Sequence, residues 1–238
     1  MTQHYLQGRT EDELLWFQRR GFLQAAAAWV ASSGMNAVWA GDASNIVELV
    51  GDVSVNGQPL LPRQSVQTGD EIRTGPKSTL IFAIGNSAFH VRQNSSLMVE
   101  RGQTLSVVSV LRLLQGAVVS AWGKGPQRQI MAPTLTAGIR GTGAYTEVFA
   151  SQGNRSYFCN CYGVVELTSG PDRELSEASH HQSFWGEVGA GGVGAALTSA
   201  PMINHTDEEV EYLARLIGQR TAWQMGGKKV NKTHGSGY

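Results

Sequence analysis

The stretch "VGDVSVNGQPLLPRQSVQTGDEIRTG", from Val50 to Gly75, is the part of the sequence that decides the fold. Its apolar residues come in short runs, and Asn56-Gly57 separates two of these runs as the turn of a tight β-hairpin does. Gly69 marks a further turn, because glycine accepts positive φ angles without a steric cost. Short runs between turn residues predict β-strands.

The same pattern continues to Leu167. It predicts strands near Thr79–Ile84, Ala88–Val91 and Leu97–Glu100, with turn residues between them. The chain has 29 glycines, and only 16% of its residues are charged, which suits a turn-rich β protein. We therefore expect an all-β sandwich or roll of short antiparallel strands, with an N-terminal signal segment and a C-terminal helix.

A helix is predicted near the C-terminus, in "NHTDEEVEYLARLIGQR". Thr206 and Glu209 have the spacing of a capping box, in which each side chain bonds the backbone of the other residue. The residues that follow repeat at helical spacing and form one apolar face: Val210, Leu213, Leu216 and Ile217.

An export signal is predicted in the first 40 residues. Arg19 and Arg20 precede Gly, Phe and Leu, which resembles the twin-arginine motif, and an alanine-rich apolar run follows up to Ala40. Cleavage there would start the mature protein near Gly41 and place it in the periplasm. Two alternatives stay open: a retained membrane anchor that faces the periplasm, and a soluble amphipathic helix.

The charge balance narrows the classes of partner. Nineteen basic residues match nineteen acidic ones, so the formal net charge is zero. Nucleic acid is not expected as a partner, because phosphate binding needs clustered lysine and arginine. An envelope protein or a glycan is the expected partner, and the signal segment would contact the membrane only transiently.

Two motifs, in order along the chain, resemble the FecR domain: "GDEIRTG" at Gly69–Gly75 and "APTLTAGIRGT" at Ala132–Thr142. Founding members of that family are membrane-spanning regulators that link an iron-siderophore transporter to a sigma factor. The resemblance implies a β fold and an exported binding or sensory protein with a link to iron-uptake signalling. Control of a sigma factor is not carried over, because too little chain precedes the apolar run for a cytoplasmic regulatory domain.

The predicted organisation has three parts. Residues 1–40 form the twin-arginine signal, residues 41–168 form the FecR-like β domain, and residues 169–238 form a glycine-rich loop, the C-terminal helix and a tail. A nucleophile elbow and a phosphate-binding Gly-Lys motif are both absent from the sequence, so no catalysis is expected.

The chain's two cysteines, Cys159 and Cys161, lie in the predicted strand "RSYFCNCYGVVEL". Residues i and i+2 of a strand share a face, with Cα atoms about 6.5 Å apart, near the upper limit for a disulfide. Three interpretations stay open at this stage: a metal or cofactor site, a disulfide or redox pair, and two small core residues.

Histidines that could complete a metal site follow the cysteines: His180, His181 and His205. Two cysteines with two histidines form a set that suits tetrahedral zinc, whereas cysteine with histidine and Met202 would suit copper. Iron is the third candidate, although iron–sulfur clusters usually use four cysteines. The metal alternative therefore predicts a zinc, iron or copper ion bound by Cys159 and Cys161 with the downstream histidines.

Overall fold

A computed structural model of the chain describes residues 6–10, 13, 44–188 and 195–226. The predicted signal motif at Arg19 and Arg20 and the glycine-rich residues 189–194 lie outside the described residues. Within the described ranges, the structure contains no helix long and apolar enough to cross a membrane.

The fold is all-β, as predicted, and consists of two sheets that share two long strands. Sheet 1 is covered on one side by the C-terminal helices. Its strands are, in spatial order, β1 (Ile46–Val50), β5 (Thr79–Ile84), β6 (Ser87–Val91), the second half of β8 (Val108–Trp122), β11 (Gly143–Phe149), the first half of β12 (Arg155–Ser169), β14 (Gln182–Val188) and β15 (Ala195–Ala200).

Sheet 2 packs on the other side of sheet 1. Its strands are, in spatial order, β3 (Gln58–Pro59), β2 (Val53–Val55), β4 (Glu71–Thr74), β7 (Ser96–Arg101), the first half of β8, β9 (Arg128–Ala132), β10 (Leu135–Ile139), the second half of β12 and β13 (Asp172–Ala178).

Two details of the predicted architecture are wrong. Strands β8 and β12 are 15 residues long, not short. Strand β9 pairs with β8 in parallel, because the chain leaves sheet 1 after Trp122 and enters sheet 2 again beside the start of β8. The other strand pairs of the described residues are antiparallel.

A glycine with positive φ lies in each long strand where it passes from one sheet to the other. Gly116 has a φ of 78° and Gly163 a φ of 102°. A Cβ atom at Gly116 would lie 2.6 Å from the Cα of Ser95, and one at Gly163 would lie 2.9 Å from the carbonyl oxygen of Gly141. Only glycine fits both the backbone angle and the space at these two bends.

The two faces of sheet 1 form two separate hydrophobic layers. The inner core fills the space between the sheets, and its larger members include Leu80, Phe82, Phe89, Leu97, Leu111, Trp122 and Phe158. The outer core lies between sheet 1 and the helices α1 (Asp207–Leu216) and α2 (Ala222–Met225). Alternation along β12 directs Phe158 into the inner core and Cys159 into the outer core.

Local sequence signals are confirmed in several places. Asn56 and Gly57, with φ of 52° and 75°, form the turn between β2 and β3. The capping box of Thr206 and Glu209 starts α1. The expected end of the β domain at residue 168 is wrong, because strands β13 to β15 continue both sheets as far as Ala200.

Candidate metal centre

The two cysteines lie in the first half of β12, between β11 and β14. Cys159 stands opposite Tyr145 on one side and Ser183 on the other. Both thiols are fully buried on the outer-core face, and their sulfur atoms are 3.9 Å apart. Because a disulfide bond is about 2.05 Å long, the two sulfurs are separate thiols facing the same side.

His205 reaches the cysteines from the segment before α1. Its Nδ1–H donates a hydrogen bond to the Ile203 carbonyl oxygen at 2.6 Å, because a carbonyl can only accept. In the neutral ring this bond leaves the lone pair on Nε2, which lies 3.5 Å from the Cys161 sulfur. The Tyr145 ring stacks on the imidazole with centroids 4.7 Å apart, and only 1% of His205 is exposed.

His181 approaches from the turn between β13 and β14. Its Nδ1 lies 3.3 Å from the Cys159 sulfur and 3.2 Å from Nε2 of His205, while its Nε2 bonds the Asp207 carboxylate at 2.7 Å. Its backbone N–H donates to the Cys161 carbonyl oxygen at 2.9 Å.

The backbone of His181 has a φ of 39°, an unusual value for a residue with a side chain. Strained backbone of this kind persists only where the surroundings hold it, and such residues concentrate at functional sites. The turn geometry therefore directs the His181 ring towards the sulfurs at a cost in backbone energy.

Four of the five predicted ligands thus converge, and His180 does not join them. The ligand atoms of Cys159, Cys161, His181 and His205 all lie within 4.8 Å of one another. The His180 ring instead meets the His181 ring edge to face and places its Nε2 3.0 Å from the Asp207 carboxylate, with a fifth of its side chain exposed. We call the four converging residues the thiol–imidazole cluster.

Asp207 is a member of the site that sequence reasoning missed. It bonds the ring nitrogen of His181 that faces away from the sulfurs, and so fixes the orientation of that ring. A signal was present in the sequence, because Asp207 is the first residue of α1 and directly follows "NHT". Hydrogen bonds from both histidines lower the pKa of Asp207 against the opposing effect of burial.

The pKa values of the two thiols in the cluster shift in opposite directions. Burial raises the pKa of a thiol, yet the Cys161 hydrogen bond and the nearby His205 and His181 lower the pKa of Cys159 well below its usual value. Burial and then the Cys159 thiolate raise the pKa of Cys161. Burial opposes a charged His181, but the Cys159 thiolate and Asp207 raise its pKa to about 9. These shifts favour a thiolate at Cys159 and oppose a second thiolate at Cys161.

Aromatic side chains close the cluster from outside. The Trp223 ring of α2 stacks on His181 at 5.5 Å and meets Tyr162 edge to face at 5.6 Å. Its indole N–H donates to Glu211 at 2.7 Å, which ties α2 to α1. With both thiols fully buried, the cluster has the closed form of a structural site.

A second buried polar group, separate from the thiol–imidazole cluster, lies between α1 and sheet 1. Glu209, the capping-box glutamate, bonds Arg92 at 2.6 Å, and both side chains are almost fully buried. His90 lies 3.4 Å from the same carboxylate oxygen. His90 is buried, because β6 lies inside sheet 1 and directs it beneath α1.

Comparisons with known proteins gave limited results. Family models and curated proteins produced no match. Two solved structures of candidate anti-sigma factors from Parabacteroides distasonis ATCC 8503 share 8% and 7% identity with the chain, at TM-scores of 0.45 and 0.46. The matches cover 58% and 60% of this chain, and 61% and 64% of those chains, so the chain spans less than two-thirds of their length.

Proposed function

We propose that this chain is an exported, non-catalytic sensory or binding module whose chemical centre is a tetrahedral metal ion, zinc in preference to copper or iron. The ion would be bound by Cys159, Cys161, His181 and His205. The convergence of these four ligand atoms carries the proposal. The FecR-like motifs and the all-β fold support the assignment to an exported module.

The spacing of the ligand atoms supports zinc. Bonds of about 2.3 Å to sulfur and about 2.0–2.1 Å to nitrogen, in a tetrahedron, put two sulfurs about 3.8 Å apart and two nitrogens about 3.3 Å apart. The cluster has 3.9 Å between its sulfurs and 3.2 Å between its nitrogens. The same tetrahedron puts sulfur and nitrogen about 3.6 Å apart, and the two close pairs measure 3.3 and 3.5 Å.

The groups around the ligands also suit a metal. His205 donates its outer ring N–H to the Ile203 carbonyl, and His181 bonds the Asp207 carboxylate. Each ring therefore directs its other nitrogen towards the sulfurs, where a metal would bind it in place of any proton, the arrangement that metal-bound histidines adopt. A tetrahedral set of two sulfurs and two nitrogens favours zinc over square-planar copper.

The role of such an ion follows from where its ligands sit. Two ligands belong to β12, one to the turn before β14, and one to the segment that leads into α1. An ion bound to all four would connect the helices to sheet 1. The module would then present its surface to an envelope protein or a glycan.

The test is the metal content of the purified full-length protein, measured by elemental analysis together with thiol titration. We expect about one zinc ion per chain, and loss of that ion in Cys159→Ser, Cys161→Ser and His205→Gln. The matched control is His180→Gln, which changes a neighbouring histidine outside the cluster and should retain the metal.

Cobalt substitution gives a second readout. Cobalt bound by two thiolates should show sulfur-to-metal charge-transfer absorption that weakens when either cysteine becomes serine. A folded protein, verified by circular dichroism, that retains no metal would overturn the proposal in favour of core packing. A protein isolated with both thiols oxidised would overturn it in favour of a redox pair.

A further inference from the structure

The N-terminal residues 6–10 and 13, which we call the strap, lie against the folded body far from them in sequence. The backbone N–H of Gln7 donates to Oδ1 of Asn204 at 2.7 Å, and Nδ2 of Asn204 donates to the Gln7 carbonyl oxygen at 2.7 Å. The Asn204 side chain thus bonds both backbone groups of Gln7, as a neighbouring strand would. Such a paired contact recognises peptide backbone directly, here at a bend where Gly8 has a φ of 74°.

Arg9 anchors the strap in the body. Its Nε donates to Glu147 at 2.7 Å and its Nη1 to Glu13 at 2.5 Å, and only 8% of its side chain is exposed. Glu147, on β11, is 7% exposed and also accepts hydrogen bonds from Tyr145 at 2.5 Å and Asn204 at 2.8 Å. Both oxygens of this buried carboxylate accept hydrogen bonds, and the guanidinium of Arg9 is its cationic partner.

Glu13 provides a second attachment. Its carbonyl oxygen accepts a hydrogen bond from Nη1 of Arg92 at 3.0 Å, and its carboxylate accepts one from Gln93 at 3.3 Å. Arg92 is 1% exposed and uses its other terminal nitrogen for Glu209. The strap therefore supplies the hydrogen-bond acceptor of Nη1 of a guanidinium that lies inside the body.

The burial of these partners separates the strap from a chance surface contact. Exposed ion pairs contribute little, but a buried charge that loses its partner is strongly destabilising. Without the strap, the Glu147 carboxylate would lose its guanidinium and Arg92 would lose the Glu13 carbonyl. The body is therefore built with charges that the strap satisfies.

We propose that Glu147, Asn204, Arg92 and Gln93 form a peptide-docking site whose occupant is the chain's own strap, bound tightly enough to remain after the chain is cut. The site selects a segment that bends at Gly8 and carries an arginine and, four residues later, a glutamate. The proposal does not depend on a bound metal, because none of these contacts involves the thiol–imidazole cluster.

The proposal changes the expected result of signal cleavage. A cut near Gly41 would separate the strap from the body in sequence, and the docking site would hold the two pieces together. It also links the N-terminus to the cluster, because Asn204, with a φ of 57°, directly precedes His205. Occupancy of the site thereby supports the segment that positions one imidazole.

The test uses the full chain with a protease recognition sequence placed between residues 21 and 40. After complete cutting, gel filtration should show the N-terminal fragment eluting with the body in equal amount. Arg9→Ala should release the fragment, because it removes the guanidinium from Glu147. The matched control is Thr10→Ala, which truncates an exposed side chain of the strap and should leave the fragment bound.

A second measurement works on the uncut protein and does not require the cut pieces to be stable. The Gln7 amide should be protected from hydrogen exchange, and Arg9→Ala should speed its exchange by at least about tenfold. Release of the wild-type fragment, or equal retention and equal exchange in Arg9→Ala, would overturn the proposal. Metal content is measured in parallel, so that loss of the metal can be distinguished from loss of strap docking.

Discussion

The two hydrophobic layers of this protein differ in their chemistry. The inner core between the sheets consists of aliphatic and aromatic side chains, with Phe82 stacked on Phe89 at 5.0 Å. The outer core contains both cysteines and borders His205, and the Arg92–Glu209 pair is buried beside it. One sheet thus has a mainly apolar face on one side, where the Ser120 hydroxyl accepts a hydrogen bond from the Trp122 indole, and a face with chemically active groups on the other.

The difference follows from what covers each face. A second sheet covers the inner face, whereas the outer face is covered by the ten-residue helix α1 and the four-residue helix α2. Helices this short are marginal by themselves, so tertiary contacts must hold them. α1 buries only Val210, Leu213 and Ala214 besides Glu209, so polar contacts and the proposed ion have a large share in attaching it.

The largest expected effect is that of metal removal, which should separate the two layers. Chelation should lower the free energy of unfolding by at least ~3 kcal/mol and the melting temperature by about 6–12 °C. Hydrogen exchange should speed up strongly at Leu213 in α1 and little at Phe82 in β5. An equal change in both layers would show that they unfold as one unit. His205→Gln should reproduce the pattern without chelator.

The next effect concerns the buried ion pair of the outer layer. Arg92→Met should lower the free energy of unfolding by about 3–5 kcal/mol, because it leaves Glu209 charged and buried without a guanidinium. Urea denaturation measures this, with Arg73→Met as the control. Arg73 pairs with Glu71 but is two-thirds exposed, so its change should stay within about 0.5 kcal/mol. Similar costs at the two sites would contradict the comparison.

The smallest effect concerns the start of α1. Thr206→Ala should cost ~1 kcal/mol in free energy of unfolding, because the Glu209 backbone N–H loses the side-chain oxygen that caps it. Thr206→Ser retains that oxygen and serves as the control. Chemical denaturation is the measurement, and a cost in both variants would indicate loss of packing around the buried threonine methyl group.

Local signals allowed most of the strands and the helix to be predicted. The Asn56-Gly57 turn, the strands around Thr79–Ile84 and the capping box of α1 all depend on neighbours in sequence, and all three were predicted correctly. The end of the β domain was misplaced, because β13 to β15 carry many polar residues and pair with β12 and with one another. Pairing of this kind leaves a weaker pattern in sequence than burial does.

The candidate site was predictable in part. The types of ligand and the shared face of Cys159 and Cys161 followed from strand periodicity. The choice between His180 and His181 did not, because it depends on a turn that holds His181 at positive φ. Asp207 lies two residues after His205, but its bond to His181 depends on how α1 packs on sheet 1. Nothing local indicates that Arg92 pairs with Glu209, which is 117 residues away.

A turn-rich β protein with a capped C-terminal helix and two thiols on one strand face could be predicted from the sequence alone. These properties are set by alternation, turn chemistry and capping, which act over a few residues. Only the tertiary structure decided which histidine joins the thiols, which charges are buried and where the strap binds. Those outcomes depend on contacts between segments as far apart as Gln7 and Asn204, and such contacts exist only once the sheets have formed.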